Sequence, residues 1–180
     1  GNCMATTKLK GNVVKLEGKE LKVGESAPTV KVVAKDLSEI KVGGKSDKVQ
    51  VIVAVPSLDT PVCAAETRRF NTEAAKIEGA TVTVVSMDLP FAMGRFCTTE
   101  GINNLAVGSD FRDKGFASSY GILIKDGPLK GISARAIFVV NKSGKLVYKE
   151  LCEEITAEPN YEAALCAINE ATSKTKCCKK

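Results

Sequence analysis

The chain has 180 residues and contains no histidine and no tryptophan. Without imidazole there is no Ser-His-Asp triad, no Cys-His nucleophile pair and little prospect of a zinc site. Any nucleophile must therefore be activated by arginine, lysine or a helix N-terminus. Aromatic residues make up only 5% of the chain, too few for the stacking platforms that hold single-stranded nucleic acid. No apolar run reaches the roughly 18 residues of a membrane span, and no apolar signal-peptide core opens the sequence, so a cytoplasmic protein is expected. No cofactor or metal is expected.

Hydrophobic residues account for 44% and charged ones for 26%, values of an ordinary globular chain. At this length one domain is expected, able to bury roughly 70% of its unfolded surface. The net charge is +5, but much of it sits at the ends, in Lys8, Lys10, Lys174, Lys176, Lys179 and Lys180. That distribution reads as a solvated, mildly basic surface rather than a nucleic-acid footprint, which needs a basic stripe on one face. The expected division is a flexible N-terminal segment over 1–7, one domain over 8–173, and a flexible basic tail over 174–180. Met4 looks like a natural initiator, which makes residues 1–3 an added leader. The rival is a lipidated Gly1-Asn2-Cys3 terminus, but that motif wants Ser or Thr where Ala5 stands. Seven cysteines is an odd number, and a secreted disulfide scaffold is not expected of a chain this long.

The pattern predicts a hairpin of 12–16 with 19–23, a short strand over 30–33 and a brief one near Ile40. The β-branched run at 49–55 suits a central strand covered on both faces. Helix follows over about 61–78, then strand over 80–86, helix over 92–101, and a brief strand at 105–108. A short helix over 113–120 precedes strands at 134–140 and 145–152, joined by the Asn141-Lys142-Ser143-Gly144 turn. A final helix spans about 160–173. This order gives an α/β thioredoxin-like sandwich with a central mixed sheet and an N-terminal β-hairpin extension. A flavodoxin-like sheet would need further βα units where a hairpin stands at 134–152.

The chemistry is carried by Pro56-Ser57-Leu58-Asp59-Thr60-Pro61-Val62-Cys63, which joins a buried strand to the first turn of a helix. Reaction sites of open α/β sheets lie at such strand ends. With Thr60 at the N-cap and Pro61 at N1, Cys63 falls at N3, where unpaired N–H groups and the helix dipole favour an anion. A thiolate, not a thiol, is the nucleophile. The Thr60 hydroxyl is placed to accept from a helix N–H, or to donate to the sulfur or to an oxygen bound beside it. Pro61 fixes the turn and shields the sulfur. A capped helix with an inert buried cysteine fits the local pattern equally well. Arg135, at the start of the apolar run 134–140, is the cation expected to hold a thiolate; a buried charge there needs a partner, and a buried carboxylate is the alternative one. Arg68 and Arg69 are expected to face solvent or to pair with Glu66, Glu73 or another acid.

Ser57-Leu58-Asp59-Thr60-Pro61-Val62-Cys63 resembles the signature of the bacterial thiol peroxidase branch of the peroxiredoxins. The resemblance extends through Arg68-Arg69-Phe70-Asn71, Ser86-Met87-Asp88-Leu89-Pro90-Phe91, Arg95-Phe96-Cys97 with Glu100-Gly101, Ser109-Asp110-Phe111-Arg112, Tyr120-Gly121, Ala134-Arg135-Ala136 and Glu158-Pro159-Asn160-Tyr161. Only the termini fall outside it. It implies that Cys63 attacks the peroxide, that Thr60, Pro61 and Arg135 complete its pocket, and that Cys97 resolves the sulfenic acid as an intramolecular disulfide. It also implies a thioredoxin-like fold, a homodimer, and recycling by thioredoxin. Because the two cysteines lie on separate helices and a disulfide needs Cα atoms within about 7 Å, one or both segments must unwind on oxidation. Cys152 and Cys166 read as packing residues.

Other readings are weaker. A thioredoxin-type oxidoreductase would want Cys-x-x-Cys, which is absent. A redox sensor relaying the same disulfide to a partner protein is the alternative function. Gly43-Gly44-Lys45-Ser46 lacks the Walker glycine, since Glu39 stands there. Asn141-Lys142-Ser143 matches a glycosylation acceptor but reads better as a turn. Residue pattern alone leaves the preference between hydrogen peroxide and bulkier alkyl or lipid peroxides open.

Overall fold

The computed structural model describes residues 5–173. In chain order its strands are β1 (Thr6–Leu9), β2 (Asn12–Glu17), β3 (Val30–Ala34), β4 (Glu39–Val42), β5 (Val49–Ala54), β6 (Ala80–Ser86), β7 (Ala106–Ser109), β8 (Leu123–Ile124), β9 (Ala136–Val140) and β10 (Leu146–Leu151). Seven of them form a central mixed sheet in the order β10-β9-β5-β6-β7-β3-β4. β5, β6 and β7 run parallel; β9 pairs antiparallel with β5, and β3 antiparallel with β7. β1, β2 and β8 form a second, three-stranded sheet.

The alternation of β5 explains its central place. Val49, Val51 and Val53 enter one apolar cluster, while Ile52 and Ala54 enter the other. β9 repeats the pattern, with Ile137 and Val139 on the first face and Ala136, Phe138 and Val140 on the second. Burying such a branched side chain is worth roughly 1.5–3 kcal/mol, so the strands are held by both layers at once. The first face is covered by α1 (Pro61–Thr72), α2 (Pro90–Glu100) and α4 (Tyr161–Thr172), through Phe70, Met93, Phe96, Ala164 and Ile168. The second is covered by α3 (Gly115–Ser119) and the small sheet, through Phe116, Leu16 and Ile124. This is the expected thioredoxin-like sandwich.

Three expectations shift. The hairpin forms one turn earlier, β1 against β2, because Lys10 (φ 50°) and Gly11 (φ 86°) supply the two positive-φ residues that a tight hairpin loop needs. Gly18, expected at that turn, instead packs on α3, where a Cβ would run into the Ser118 carbonyl oxygen. Residues 19–23 are not strand, and the domain reaches back into 5–7: the Thr7 hydroxyl donates to the Cys152 carbonyl at 2.8 Å. Helix α1 ends at Thr72 rather than near 78, and tight turns carry the chain to β6, with Ala75 N–H donating to Phe70 O and Ile77 N–H to Ala74 O. Apolar Ala74 and Ile77 mimic helical spacing there. Residues 1–4 and 174–180, with Cys3, Cys177 and Cys178, lie outside the described residues.

The Gly43-Gly44 pair serves the fold. Gln50, buried in β5, accepts from Gly43 N–H and donates to the carbonyls of Gly43 and Gly44. A Cβ on Gly43 would collide with the Pro28 carbonyl oxygen.

Candidate active site

The site lies where β5 ends and α1 begins. Thr60 occupies the N-cap in extended conformation (φ −104°, ψ 150°) and Pro61 takes N1, which puts Cys63 at N3 as expected. The Thr60 hydroxyl makes no cap bond; it donates to the Ser57 carbonyl at 3.0 Å and so closes the loop before the helix. The reason is local: Ser57 O also accepts the Thr60 N–H at 3.3 Å, a turn whose carbonyl stands next to the hydroxyl. Thr60 and Pro61 are exposed at the helix start, whereas Cys63 is fully buried. The buried Thr67 hydroxyl donates to the Cys63 carbonyl at 2.8 Å, one turn on.

Arg135 immediately precedes β9, and β9 lies beside β5 with Ala136 opposite Ala54. Ser133 pins this segment by donating to the Val55 carbonyl at 3.1 Å. Arg135 is 2% exposed. Its Nε donates to Ile155 O at 2.8 Å, and its Nη1 donates both to Cys63 Sγ at 3.2 Å and to Glu66 Oε1 at 2.8 Å. Both sequence alternatives for Arg135 therefore hold together: it meets the sulfur and a buried carboxylate through one nitrogen. Burial works to lower the Arg135 pKa, but the Cys63 sulfur and the Glu66 carboxylate outweigh it and the net shift is upward.

Glu66 is the residue sequence reasoning missed as a site member. It is fully buried, three residues after Cys63 on α1. Burial raises its carboxyl to about 7, with Arg135 opposing. The available signal was the spacing, since residues three apart share a helix face. Arg68 and Arg69 masked it by standing nearer as partners. In fact Arg68 bridges to Glu100 on α2 at 2.8 Å, and Arg69 bridges to Glu73 at 2.8 Å and lies 4.2 Å over the Tyr161 ring.

Cys97 lies on α2, 4% exposed, in the same apolar cluster as Cys63. Neither is disulfide-bonded, and each sits within an intact helix. Burial pushes the Cys97 thiol up, with Lys35 pulling it down. α2 closes on Gly101 in the left-handed region (φ 68°). One carboxylate joins the two approaches: Asp88, just before α2, accepts from Ser57 Oγ and Leu58 N–H, both at 2.8 Å, and from Ser86 Oγ at 2.6 Å.

Cys152, read as a packing residue, is buried, and burial with nearby Glu150 pushes its thiol up to about 12. Cys166, also read as packing, is half-buried on α4. Among the described residues, no group of three or more Cys, Asp or Glu side chains is arranged to hold a metal ion, and no helix is long and apolar enough to cross a membrane.

A model of the Redoxin family matches residues 22–165. A thiol peroxidase of Leptospira interrogans is 56% identical over 170 residues, covering 93% of this chain and 99% of that one. A thiol peroxidase of Campylobacter jejuni is 57% identical over 157 residues, covering 87% and 89%. Among solved structures, a peroxiredoxin-like protein from Aquifex aeolicus superposes with a TM-score of 0.91 at 55% identity, covering 95% of this chain and 99% of that one. A thiol peroxidase from Chromobacterium violaceum, at 20% identity and a TM-score of 0.82, shares the fold. A cysteine at a helix start beneath a buried arginine thus stands in a chain that belongs to the Redoxin family, among its thiol peroxidases, enzymes that use a thiol to reduce peroxides.

Proposed function

We propose that Cys63 is the thiol that attacks the peroxide and that Cys97 resolves it. The observation that carries this is the 3.2 Å hydrogen bond from Arg135 Nη1 to Cys63 Sγ at the N-terminal turn of α1. A guanidinium stays protonated and favours the thiolate over the thiol. The thiolate attacks the distal oxygen of a hydroperoxide; the S–O bond forms, the O–O bond breaks, and water or an alcohol leaves once the departing oxygen takes a proton. Arg135 and the first-turn N–H groups are placed to stabilise charge on sulfur and oxygen in that transition state. Pro61 fixes the turn that presents the sulfur, and Thr60 holds the loop behind it through Ser57.

Cys97 then attacks the Cys63 sulfenic sulfur, releasing water and forming an intramolecular disulfide. A thioredoxin-type dithiol restores both thiols by exchange. The working form is a homodimer in the cytoplasm, and the substrates are hydrogen peroxide and organic hydroperoxides.

The test is peroxide turnover with thioredoxin and its reductase, for wild type, Cys63→Ser and Cys97→Ser. Cys63→Ser is expected to be inactive. Cys97→Ser is expected to consume one equivalent of peroxide and stop. Turnover surviving Cys63→Ser would sink the assignment, and steady turnover in Cys97→Ser would remove Cys97 from it.

A further inference from the structure

The active centre contains two groups able to carry negative charge and one cation between them. Arg135 Nη1 serves Cys63 Sγ and Glu66 Oε1 together, and the side chains of Arg135 and Glu66 are 2% and 0% exposed. The second carboxyl oxygen, Glu66 Oε2, is buried with no hydrogen-bond partner among the described residues. An ionised carboxylate with one oxygen stripped of both water and donors is costly to keep.

The charges around this pair that weigh most on Glu66 are carboxylates and Arg135. Burial first, then Glu150 of β10 and Glu158 ahead of α4, act to keep the Glu66 proton on, and Arg135 opposes them. Cys152 behind β10 and Tyr161 of α4 also face Glu66, and its charge raises the pKa of each. Arg69, on the same helix, is committed to Glu73 and to the Tyr161 ring. With Cys63 as thiolate, an ionised Glu66 would give the buried cluster two negative charges against one positive. Such coupled groups share protons as a unit.

We propose that Glu66 is the proton store of this active centre: its carboxyl is neutral while Cys63 is a thiolate, and it ionises when Cys63 becomes a sulfenic acid. The inference rests on the assignment of Cys63 as the attacking thiol. The protons balance. Deprotonating the Cys63 thiol places one proton on the pair, held by Glu66. Attack on the peroxide forms S–O, breaks O–O and expels hydroxide or alkoxide, leaving sulfur formally neutral. Arg135 then has no anion unless Glu66 releases its proton, and that release balances the proton the departing oxygen takes up from solvent as it becomes water or alcohol. The carboxylate takes over as counter-ion, so the buried guanidinium keeps a partner in both redox states. Glu66 acts here through Arg135, as a positioning residue rather than a group that touches the peroxide.

The experiment uses the full chain carrying Cys97→Ser, which holds the sulfenic acid, with one equivalent of hydrogen peroxide near neutral pH. The infrared difference spectrum is recorded while a sulfenic-acid trapping reagent and mass spectrometry read Cys63 conversion in the same sample. Expected is the loss of one protonated-carboxyl band and the gain of a carboxylate band, both absent when Glu66→Gln is added. Glu66→Asp, which keeps a carboxyl, should retain the change at a shifted frequency. Full conversion of Cys63 without a carboxyl change, or the same change in Glu66→Gln, overturns the proton store and leaves the Cys63 assignment standing. If peroxide leaves Cys63 unconverted, the assignment falls and the inference with it.

Discussion

The two cysteines proposed to carry the reaction, Cys63 and Cys97, are almost equally hidden, at 0% and 4% exposure, yet their surroundings oppose each other. Cys63 sits at the third position of its helix, under a guanidinium 3.2 Å away. Cys97 sits well inside α2, among apolar side chains that push its thiol up. Equal burial thus leaves the two thiols different neighbours, a guanidinium and a helix start for Cys63 and apolar side chains for Cys97, and thiol reactivity follows such neighbours. The arrangement suits two tasks. The first sulfur must be an anion before substrate arrives, and the second should stay protonated until the first has been oxidised.

That contrast can be broken from the Cys63 side with the largest effect. Arg135→Met keeps bulk and removes the charge, and should slow oxidation of Cys63 by peroxide by about 10²–10³-fold, the scale seen when one preorganised donor to a developing charge is lost. Stopped-flow peroxide consumption reads this directly. A variant within a few-fold of wild type would show that the helix terminus suffices alone. From the Cys97 side the sign is set by a raised thiol. The nucleophile there is a thiolate, so disulfide closure after a single peroxide addition should speed up as pH rises, while the Cys63 oxidation step should not follow the same profile. Lys35→Ala removes the one charge that lowers the Cys97 thiol and should slow closure roughly two- to threefold, the size of an exposed pair worth about 0.5 kcal/mol. An unchanged closure rate would exclude Lys35 from the resolving step. The smallest effect is expected at Cys152, whose thiol, pushed up to about 12, should resist alkylation at neutral pH while Cys63 reacts. Cys152→Ser should leave turnover unchanged.

Legibility followed from how local the determining interaction is. Strand β6 appears with the expected bounds because a run rich in β-branched residues carries no competing signal. The start of α1 was legible from Thr60-Pro61, though not the direction of the Thr60 hydroxyl, which depends on how the Ser57 loop closes. β8, two residues long, has no period to detect and exists only because β2 lies beside it. Arg135 was legible because a charge opening an apolar strand needs a reason. Glu66 was not, because its partner is 69 residues away and two arginines stand closer on its own helix. Several motifs of the resemblance prove to be scaffolding. Asn71 holds the 104 loop by accepting the Asn104 N–H at 2.8 Å, and Asp110 caps α3 by accepting from Phe116 and Ala117 N–H.

If Cys63 and Cys97 pair as proposed, Asp88 is expected to set which of them travels. It fastens the Ser57-Leu58 loop ahead of Cys63 and, in the chain, stands just before the start of α2 at Pro90. The carboxylate thus pins the approach to α1, and the chain that carries it runs directly into α2. Cys63 lies close to this pin and has a short arm. Cys97 lies in the second half of α2, nearer the far end at Gly101, where the half-exposed Arg68–Glu100 bridge straps α2 to α1. Closing the disulfide should then peel α2 back from Gly101 while the Cys63 loop stays put. Hydrogen exchange in the oxidised protein is expected to rise over 95–101 and to stay low over 57–60, and the reverse pattern would place the moving arm on α1. In that reaction the fold would work as a lever with its fulcrum at a single carboxylate.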